Sequence, residues 1–212
     1  MRSLRKDLMR RLRGSFLASG IKGEIGGSVV RIIVIRHEKV DMTWDRKYNS
    51  VAYDLACECY DRCSLVFPDK KYEKIASAGK VYVSRLSRTY ETACRLFEET
   101  DFVETALLNE VPLRSFKDTE RSYPLWVWNF IGRFQWFLGK SRQPESRERT
   151  RIRARKMIRL LEKRQEDCYL VTHGFYMRVL ISELRRCGYR IRREKIFRSF
   201  GISNLDRVVA VK

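Results

Sequence analysis

The sequence predicts an α/β fold: a three-layer α/β/α sandwich with a mostly parallel central sheet and a small helical cap. Short β-branched runs alternate with longer amphipathic segments, the order expected of parallel strands joined by helices. The first run, at 30–35, is apolar except for Arg31, as in a strand buried on both faces. The segment 120–139 (ERSYPLWVWNFIGRFQWFLG) holds more aromatic side chains than one helix can hide in a single core. We therefore assign it to the cap.

The remaining elements follow in chain order. The strands are short apolar runs, and we predict them at 30–35, 80–84, 106–110, 168–172 and 207–211. The helices are longer segments, and we predict them at 50–63, 87–99 and 175–186. The cap insertion covers about 115–145, and a polar loop at 143–146 closes it. A basic helix follows, because apolar residues recur there at helical spacing: Ala154, Met157, Ile158 and Leu161.

The chain carries 45 Lys and Arg against 26 Asp and Glu, a net charge of +19. Three stretches hold nearly all of it: 1–30 at +5, 141–164 at +7 and 185–198 at +6. Such stretches attract nucleic acid, phosphorylated metabolites or an anionic surface, or they are solvated helix faces. We do not expect nucleic acid as a partner, because no nucleic-acid motif is present and the aromatic residues lie apart from the arginine runs.

Two regions differ in character along the chain. Residues 1–28 form a basic appendage, with Leu4, Leu8 and Leu12 at helical spacing and several glycines after them. This appendage could bind an anionic surface, dock on the domain, or carry no function. Residues 29–212 form one domain of ordinary size.

No apolar run approaches the roughly 20 residues that cross a bilayer, and the N-terminal stretch is too polar for a secretory signal. Six cysteines make no disulfide framework in a chain this long, and the spacing of Cys57, Cys59 and Cys63 fits no common zinc pattern. We therefore expect a cytoplasmic protein with reduced cysteines, no transmembrane segment, no bound metal and no cofactor.

The only two histidines, His37 and His173, each directly follow a predicted buried strand. Arg36 directly precedes His37, and Arg88 closely follows the predicted strand at 80–84. Ligand sites in open α/β sheets gather beyond the carboxyl ends of the strands. Two imidazoles and two or three guanidiniums at one such rim point to a phosphoryl group, because Arg binds its oxygens in bidentate fashion and imidazole can attack phosphorus.

Five short blocks follow one another along the chain. They are Arg36-His37; Ser84-x-Leu86-x-Arg88, which runs on through Glu91-Thr92-Ala93; Leu108-Asn109-Glu110; Glu145-Ser146; and Thr172-His173-Gly174. Together they resemble the signature blocks of the histidine phosphatase (phosphoglycerate mutase-like) superfamily. The resemblance covers about 30–212 and leaves the appendage out.

The resemblance implies a role for each matching residue. His37 would be the nucleophile that forms a phosphohistidine, and Glu110 would protonate the leaving group and then activate water. The expected catalytic residues are thus His37, Glu110 and His173, and the expected phosphate-binding residues are Arg36, Arg88, His173 and Gly174. The implied activity is that of a metal-independent phosphomonoesterase acting on a small phosphorylated metabolite.

One departure from the family pattern leaves alternatives open. Glu38 stands where the family usually has glycine, so the chain could be a catalytically impaired phosphate-binding module; a phosphoglycerate mutase-type transferase is a further alternative. Glu38 and Asp41 are rival proton donors to Glu110. The cap is expected to be hydrophobic packing of a helical pair, or else a substrate lid whose contacts come from Tyr123, Trp126, Trp128 or Arg121.

Overall fold

A six-stranded sheet forms the centre of the molecule. The computed structural model describes residues 30–66, 74–76, 79–98, 101–195 and 206–212, so the appendage predicted at 1–28 lies outside the described residues. The strands are β1 (Arg31–Arg36), β3 (Lys80–Val83), β4 (Val103–Glu104), β6 (Cys168–Thr172), β7 (Arg190–Lys195) and β8 (Asp206–Val211), in the order β4-β3-β6-β1-β8-β7. The pairs among β4, β3, β6 and β1 are parallel, and those made by β8 are antiparallel. The predicted mostly parallel sheet is confirmed.

The described helices are α1 (Ser50–Arg62), α2 (Ser87–Leu96), α3 (Leu125–Phe137), α4 (Arg147–Arg164) and α5 (Gly174–Arg186). Helices α4 and α5 cover one face of the sheet, where Ile32 and Val34 of β1 are buried. Helix α2 covers the other face, where Ile33 and Ile35 are buried. Because both faces of β1 are covered, its sequence is a continuous apolar run rather than an alternating one.

Two helix starts are set by local side chains. Asn49 caps α1, since its Oδ1 accepts from the Ala52 amide over 2.9 Å. Ser146 caps α4 and accepts from the Arg149 amide over 3.3 Å. Such caps satisfy amides that the first helical turn leaves unpaired.

The cap has a small aromatic core of its own. Tyr53 of α1 stacks on Trp128 of α3 with ring centroids 5.2 Å apart, and the Trp128 indole donates to the Tyr48 carbonyl over 2.9 Å. Strands β2 (Lys47–Tyr48) and β5 (Tyr123–Pro124) pair beside them. Within 115–145 the structure has one helix, not the expected helical pair, and α1 supplies the second helix of this core.

Two strand predictions differ from the structure. The segment predicted as a strand at 106–110 begins with a short 3-10 helix, Ala106–Leu108, capped by Thr105, whose Oγ1 accepts from the Leu107 amide. The strand beside β3 is instead β4, two residues long. Strand β7 (RIRREK) was not predicted, because its charged sequence lacks the apolar signal of a strand. Among the described strands it pairs with β8 alone.

Part of the basic charge of α4 is neutralised inside the fold. The carboxylate of Glu183 is buried and accepts from Arg151 over 2.9 Å, from Arg155 over 2.7 Å, and from Arg186. Burial raises the pKa of Glu183, but the hydrogen bonds from Arg151 and Arg155 outweigh it and the pKa lies below its usual value. Of the described helices, none is long and apolar enough to cross a membrane.

Candidate active site

His37 directly follows β1 and is 4% exposed. Its backbone N–H donates to the Thr172 carbonyl over 2.9 Å, which continues the β1–β6 ladder. Its Nδ1 lies 2.6 Å from the Glu38 carbonyl oxygen. Because a carbonyl can only accept, Nδ1 carries the proton and Nε2 keeps a free lone pair. Burial and the charge of Arg88 lower the His37 pKa to about 3, so the ring is neutral at pH 7.

His173 follows β6 at the start of α5 and is fully buried. Its Nδ1 accepts from Nε of Arg88 over 3.1 Å, and its Nε2 lies 2.7 Å from Oγ of Ser84. Arginine can only donate, so Nδ1 is unprotonated and Nε2–H donates to the hydroxyl. Burial and the charge of Arg88 hold the His173 pKa well below its usual value. The His37 and His173 rings lie 4.9 Å apart, so the two strand ends meet as predicted.

Arg88 lies in the first turn of α2 and is 1% exposed. Besides His173 it contacts α1, where its guanidinium donates to Oδ1 of Asp61 over 3.0 Å and lies 5.1 Å from the centre of the Tyr60 ring. Nothing in the sequence marks Asp61 or Tyr60 as a partner of Arg88, since both lie on a helix that is distant along the chain.

Arg36 ends β1, and its guanidinium crosses the first residue of α5. A Cβ at Gly174 would lie 3.0 Å from Nε and 3.1 Å from Cζ of Arg36. Gly174 has no positive φ, so the turn itself does not need glycine; the close approach of Arg36 does. Within the described residues, the Arg36 guanidinium has no carboxylate partner.

A network of hydroxyl groups holds the rim together. Its members Ser84 and Thr92 belong to the sequence motifs, whereas Thr89 was not predicted. Oγ of Ser84 accepts the hydrogen bond from Nε2–H of His173. The same oxygen lies 2.9 Å from Oγ1 of Thr89. Oγ1 of Thr92 donates to the Arg88 carbonyl over 2.7 Å and accepts from the Glu38 amide over 3.1 Å. Helix α2 is thereby fixed to the loop that carries His37.

Glu110 lies close to the same rim, on the loop after the 3-10 helix. Its Oε1 accepts from the amides of Val111 and Tyr176, both over 2.8 Å, and its Oε2 accepts from the Phe175 amide over 3.2 Å. The carboxylate therefore caps the N-terminus of α5 through the amides two and three residues beyond His173. A negative charge is favoured at that end of a helix.

The loop that carries Glu110 is held by Arg153 of the basic helix α4. Arg153 forms a two-pronged ion pair with Glu145, at 3.1 and 2.9 Å. It also donates to the carbonyls of Leu107 and Asn109, at 3.1 and 2.6 Å. The charge of this residue thus serves a local structural purpose.

A cavity of about 910 Å³ adjoins this cluster. Its lining includes Glu110, and it also includes Tyr60 and Asp61, the two residues of α1 that contact Arg88. The lining does not include His37, Arg36, Arg88 or His173. Neither rival proton donor lines it: Glu38 is buried, with its amide on Thr92, and Asp41 is exposed.

The cap contributes different residues to the cavity from those predicted. Asn129 and Arg133 of α3 line it, whereas Trp128 is buried in the cap core and Trp126 is 69% exposed. Arg133 donates to the Val111 carbonyl over 3.1 Å and stacks on Phe175 at 3.8 Å. Burial lowers the Arg133 pKa. Which side of α3 faces the cavity depends on how the helix is rotated about its axis. The sequence does not determine that rotation, so Asn129 and Arg133 could not be distinguished from the aromatic residues in advance.

All six cysteines are free thiols. Within the described residues, no group of three or more His, Cys, Asp or Glu side chains could hold a metal ion.

Solved structures resemble this chain at low identity. Phosphoserine phosphatase from Entamoeba histolytica, in complex with 3-phosphoglyceric acid, is 16% identical with a TM-score of 0.48 over 74% of this chain and 80% of its own. A mycobacterial glucosyl-3-phosphoglycerate phosphatase is 18% identical with a TM-score of 0.45 over 74% and 80%. Phosphoglycerate mutase from Bacillus anthracis str. Sterne is 16% identical with a TM-score of 0.45 over 86% and 88%. No curated protein matches the chain by sequence.

A family model matches most of the chain. The model described as Histidine phosphatase superfamily (branch 1) aligns with residues 32–206, a range that contains every site residue predicted above. The resemblance carried by the sequence motifs is confirmed, and this chain belongs to the histidine phosphatase superfamily.

Proposed function

We propose that the protein is a metal-independent phosphomonoesterase that works through a phosphohistidine at His37. One observation carries the proposal: a neutral His37, with its Nε2 lone pair free, lies 4.9 Å from His173 and within the field of Arg88. A neutral imidazole is the nucleophilic form, and fixed guanidiniums stabilise the charge on a transferring phosphoryl group.

Two steps complete the reaction. Nε2 of His37 attacks phosphorus while the bond to the leaving oxygen breaks, and Glu110, which enters this step as the protonated acid, gives that oxygen its proton and becomes the carboxylate. Water then attacks the phosphohistidine, Glu110 takes a proton from it, and the phosphorus–nitrogen bond breaks to release inorganic phosphate. A positioned acid and base of this kind contributes about 100-fold to 10,000-fold.

The phosphoryl group would bind between Arg36 and Arg88, with the leaving group in the cavity. Arg36 supports this, since it lacks a carboxylate partner within the described residues. Glu110 supports it as well, because it is the one of the three candidate acids that lines the cavity. Asn129 and Arg133 of the cap would contact a small phosphorylated metabolite beyond its phosphate.

The test is hydrolysis of an aryl phosphate with a chelator present. We expect activity that survives chelation and is abolished in His37→Ala. Arg88→Ala should lose most activity, while Arg85→Ala, which removes a charge from an exposed side chain on the loop just before α2, should keep it. Rapid quenching in alkali should trap one phosphoryl group per chain on the parent and none on His37→Ala.

Inactivity of the folded parent would favour the second candidate, a phosphate-binding module. Its supporting observation is that Glu38, at the usual glycine position, is buried beside the nucleophile. In that case vanadate should still raise the melting temperature of the parent, and Glu38→Gly should restore turnover. Absence of both activity and vanadate binding would contradict both candidates.

A further inference from the structure

Helix α3 exposes a stripe of aromatic side chains, which we call the aromatic stripe: Trp126, Phe130, Phe134 and Phe137. They are 69%, 67%, 53% and 51% exposed. At 100° per residue they fall within one 80° sector of the helix. The stripe is therefore a continuous face and not a scatter of single apolar residues.

The opposite side of α3 packs against the rest of the protein. Trp128, Gly132 and Trp136 are buried, and Trp136 donates its indole N–H to Thr150 over 3.0 Å. The aromatic stripe is thus not needed for the core. It exposes on the order of 500 Å² of apolar surface, at the upper end of what monomers show, and such patches mark interaction sites.

Cations lie at both ends of the aromatic stripe. Before its start, Lys117 and Arg121 lie 4.9 and 5.6 Å from the centre of the Tyr123 ring. At its end, Arg147 lies 4.4 Å from the centre of the Phe137 ring. Helix α3 itself has no acidic residue, and the segment 114–149 holds eight Lys and Arg against four Asp and Glu.

We propose that the aromatic stripe docks on the surface of an anionic lipid bilayer. Aromatic side chains on one face with Lys and Arg at the margins are the composition of helices that lie in a membrane interface. Each cation near an anionic surface adds about 1 kcal/mol of attraction.

The charges argue against two other occupants. A second copy would bring another net charge of +19 against the same basic margins. The segment 1–30, at +5, would likewise meet charge of its own sign. An anionic bilayer complements both the apolar stripe and its basic margins.

Docking would bring the cavity close to the lipid surface. Asn129 and Arg133, which line the cavity, lie on α3 next to the aromatic stripe, about 20° to 60° from Trp126 at 100° per residue. The proposal does not depend on catalysis, because no stripe residue lines the cavity.

The test is co-sedimentation of the full chain with vesicles. We expect binding to vesicles of phosphatidylcholine with about 30% phosphatidylserine, little binding to phosphatidylcholine alone, and weaker binding at about 0.5 M salt. The double variant Phe130→Ser with Phe134→Ser should bind at least about tenfold more weakly, because burying each ring is worth about 1.5–3 kcal/mol. Its melting temperature should match that of the parent.

The matched control is Val51→Ser with Leu55→Ser. Both residues are 59% exposed, and each lies two positions from Tyr53, so they face away from α3. This control should bind vesicles like the parent. As a second readout, vesicles should shift the tryptophan emission of the parent to shorter wavelength, and Trp126→Phe should remove most of that shift.

Three results would overturn the proposal. The first is no binding to the anionic vesicles. The second is binding that the stripe variant leaves unchanged, which would show a purely electrostatic attachment. The third is a dimer in solution that the stripe variant converts to a monomer, since a second copy would then be the occupant.

Discussion

Nε of Arg88 donates to Nδ1 of His173 over 3.1 Å, and both side chains are almost wholly buried. Because arginine has no acceptor, this bond fixes the tautomer of His173, so that the single ring proton lies on Nε2 and is donated to Ser84. The same guanidinium is also held by Asp61. In this arrangement, a phosphoryl group that binds Arg88 must compete with partners inside the protein.

This competition leads to the prediction that Asp61→Asn tightens phosphate binding. Asparagine keeps an oxygen near Arg88 but removes the negative charge that opposes an incoming phosphate. We expect the inhibition constant of inorganic phosphate to fall by about threefold to tenfold, a modest effect because Asp61 is half exposed and solvent screens its charge. Steady-state inhibition at constant ionic strength measures it.

Glu58→Gln is the control for Asp61→Asn. Glu58 lines the same cavity on the same helix but is bound to Arg62, not Arg88. Its loss should leave the inhibition constant nearly unchanged. Weaker phosphate binding in Asp61→Asn would mean that the carboxylate orients Arg88 for phosphate instead of competing with it.

The dual position of Glu110 leads to a prediction about leaving groups. The carboxylate caps α5 and lines the cavity, so loss of activity on mutation has two explanations. An acid that protonates the leaving oxygen matters most when that oxygen is strongly basic. We expect Glu110→Gln to lower kcat by about 100-fold or more on an alkyl phosphate and much less on p-nitrophenyl phosphate.

A purely structural role for Glu110 would reduce both rates equally. Ser146→Ala serves as the control, because it removes the cap of α4 and leaves the cavity lining intact. We expect it to lower stability by about 1 kcal/mol and to leave the ratio of the two rates unchanged.

The strand ends could be predicted from the sequence because buried parallel strands have a strong local signal. The run at 30–35 and the run at 168–172 identify β1 and β6, and parallel register brings the residues after them, His37 and His173, to one rim. The family motifs then assign each residue a role. None of this requires knowledge of side-chain packing.

The partners of these residues could not be predicted, because they come from distant elements. Asp61 reaches Arg88 from α1, and Arg153 reaches the Glu110 loop from α4. In the sequence, Arg153 is one of many arginines in a basic helix, and only packing distinguishes it from solvated neighbours. The strand predicted at 106–110 was wrong for a related reason: the Thr105 side chain caps a 3-10 helix there, and apolar residues alone do not reveal such a cap.

The close approach of Arg36 to Gly174 leads to the prediction that Gly174→Ala weakens substrate binding. The added Cβ would lie 3.0 Å from Nε of Arg36, so the guanidinium must shift by a few tenths of an ångström. We expect KM to rise by several-fold, about 1 kcal/mol or less, with a smaller change in kcat. The melting temperature should not fall, because alanine is a better helix former than glycine.

Two variants separate this effect from a general disturbance. Gly188→Ala, at a glycine with φ of 87°, should lower the melting temperature and leave KM unchanged. In Arg36→Ala the guanidinium is absent, so adding Gly174→Ala should raise KM no further. An additional rise in the double variant would contradict the proposed contact.

The two buried histidines predict that the protein loses stability as the pH falls from 7 to 5. The His37 pKa is about 3 in the folded protein, against an ordinary value of 6.5. Below pH 6.5 the unfolded chain takes up a proton at His37 that the folded protein does not, so acid favours unfolding. The loss begins near pH 6.5, continues down to about pH 3, and for His37 alone amounts to about 2 kcal/mol at pH 5. His173, whose pKa is also lowered, adds to this loss of stability in the same direction.

Urea unfolding at pH 7, 6 and 5 measures how steeply the free energy of unfolding falls with pH, and His37→Gln should make that slope shallower because glutamine does not titrate. Parallel slopes for the parent and His37→Gln would mean that His37 takes up its proton equally well in the folded state, and that burial does not keep this ring neutral.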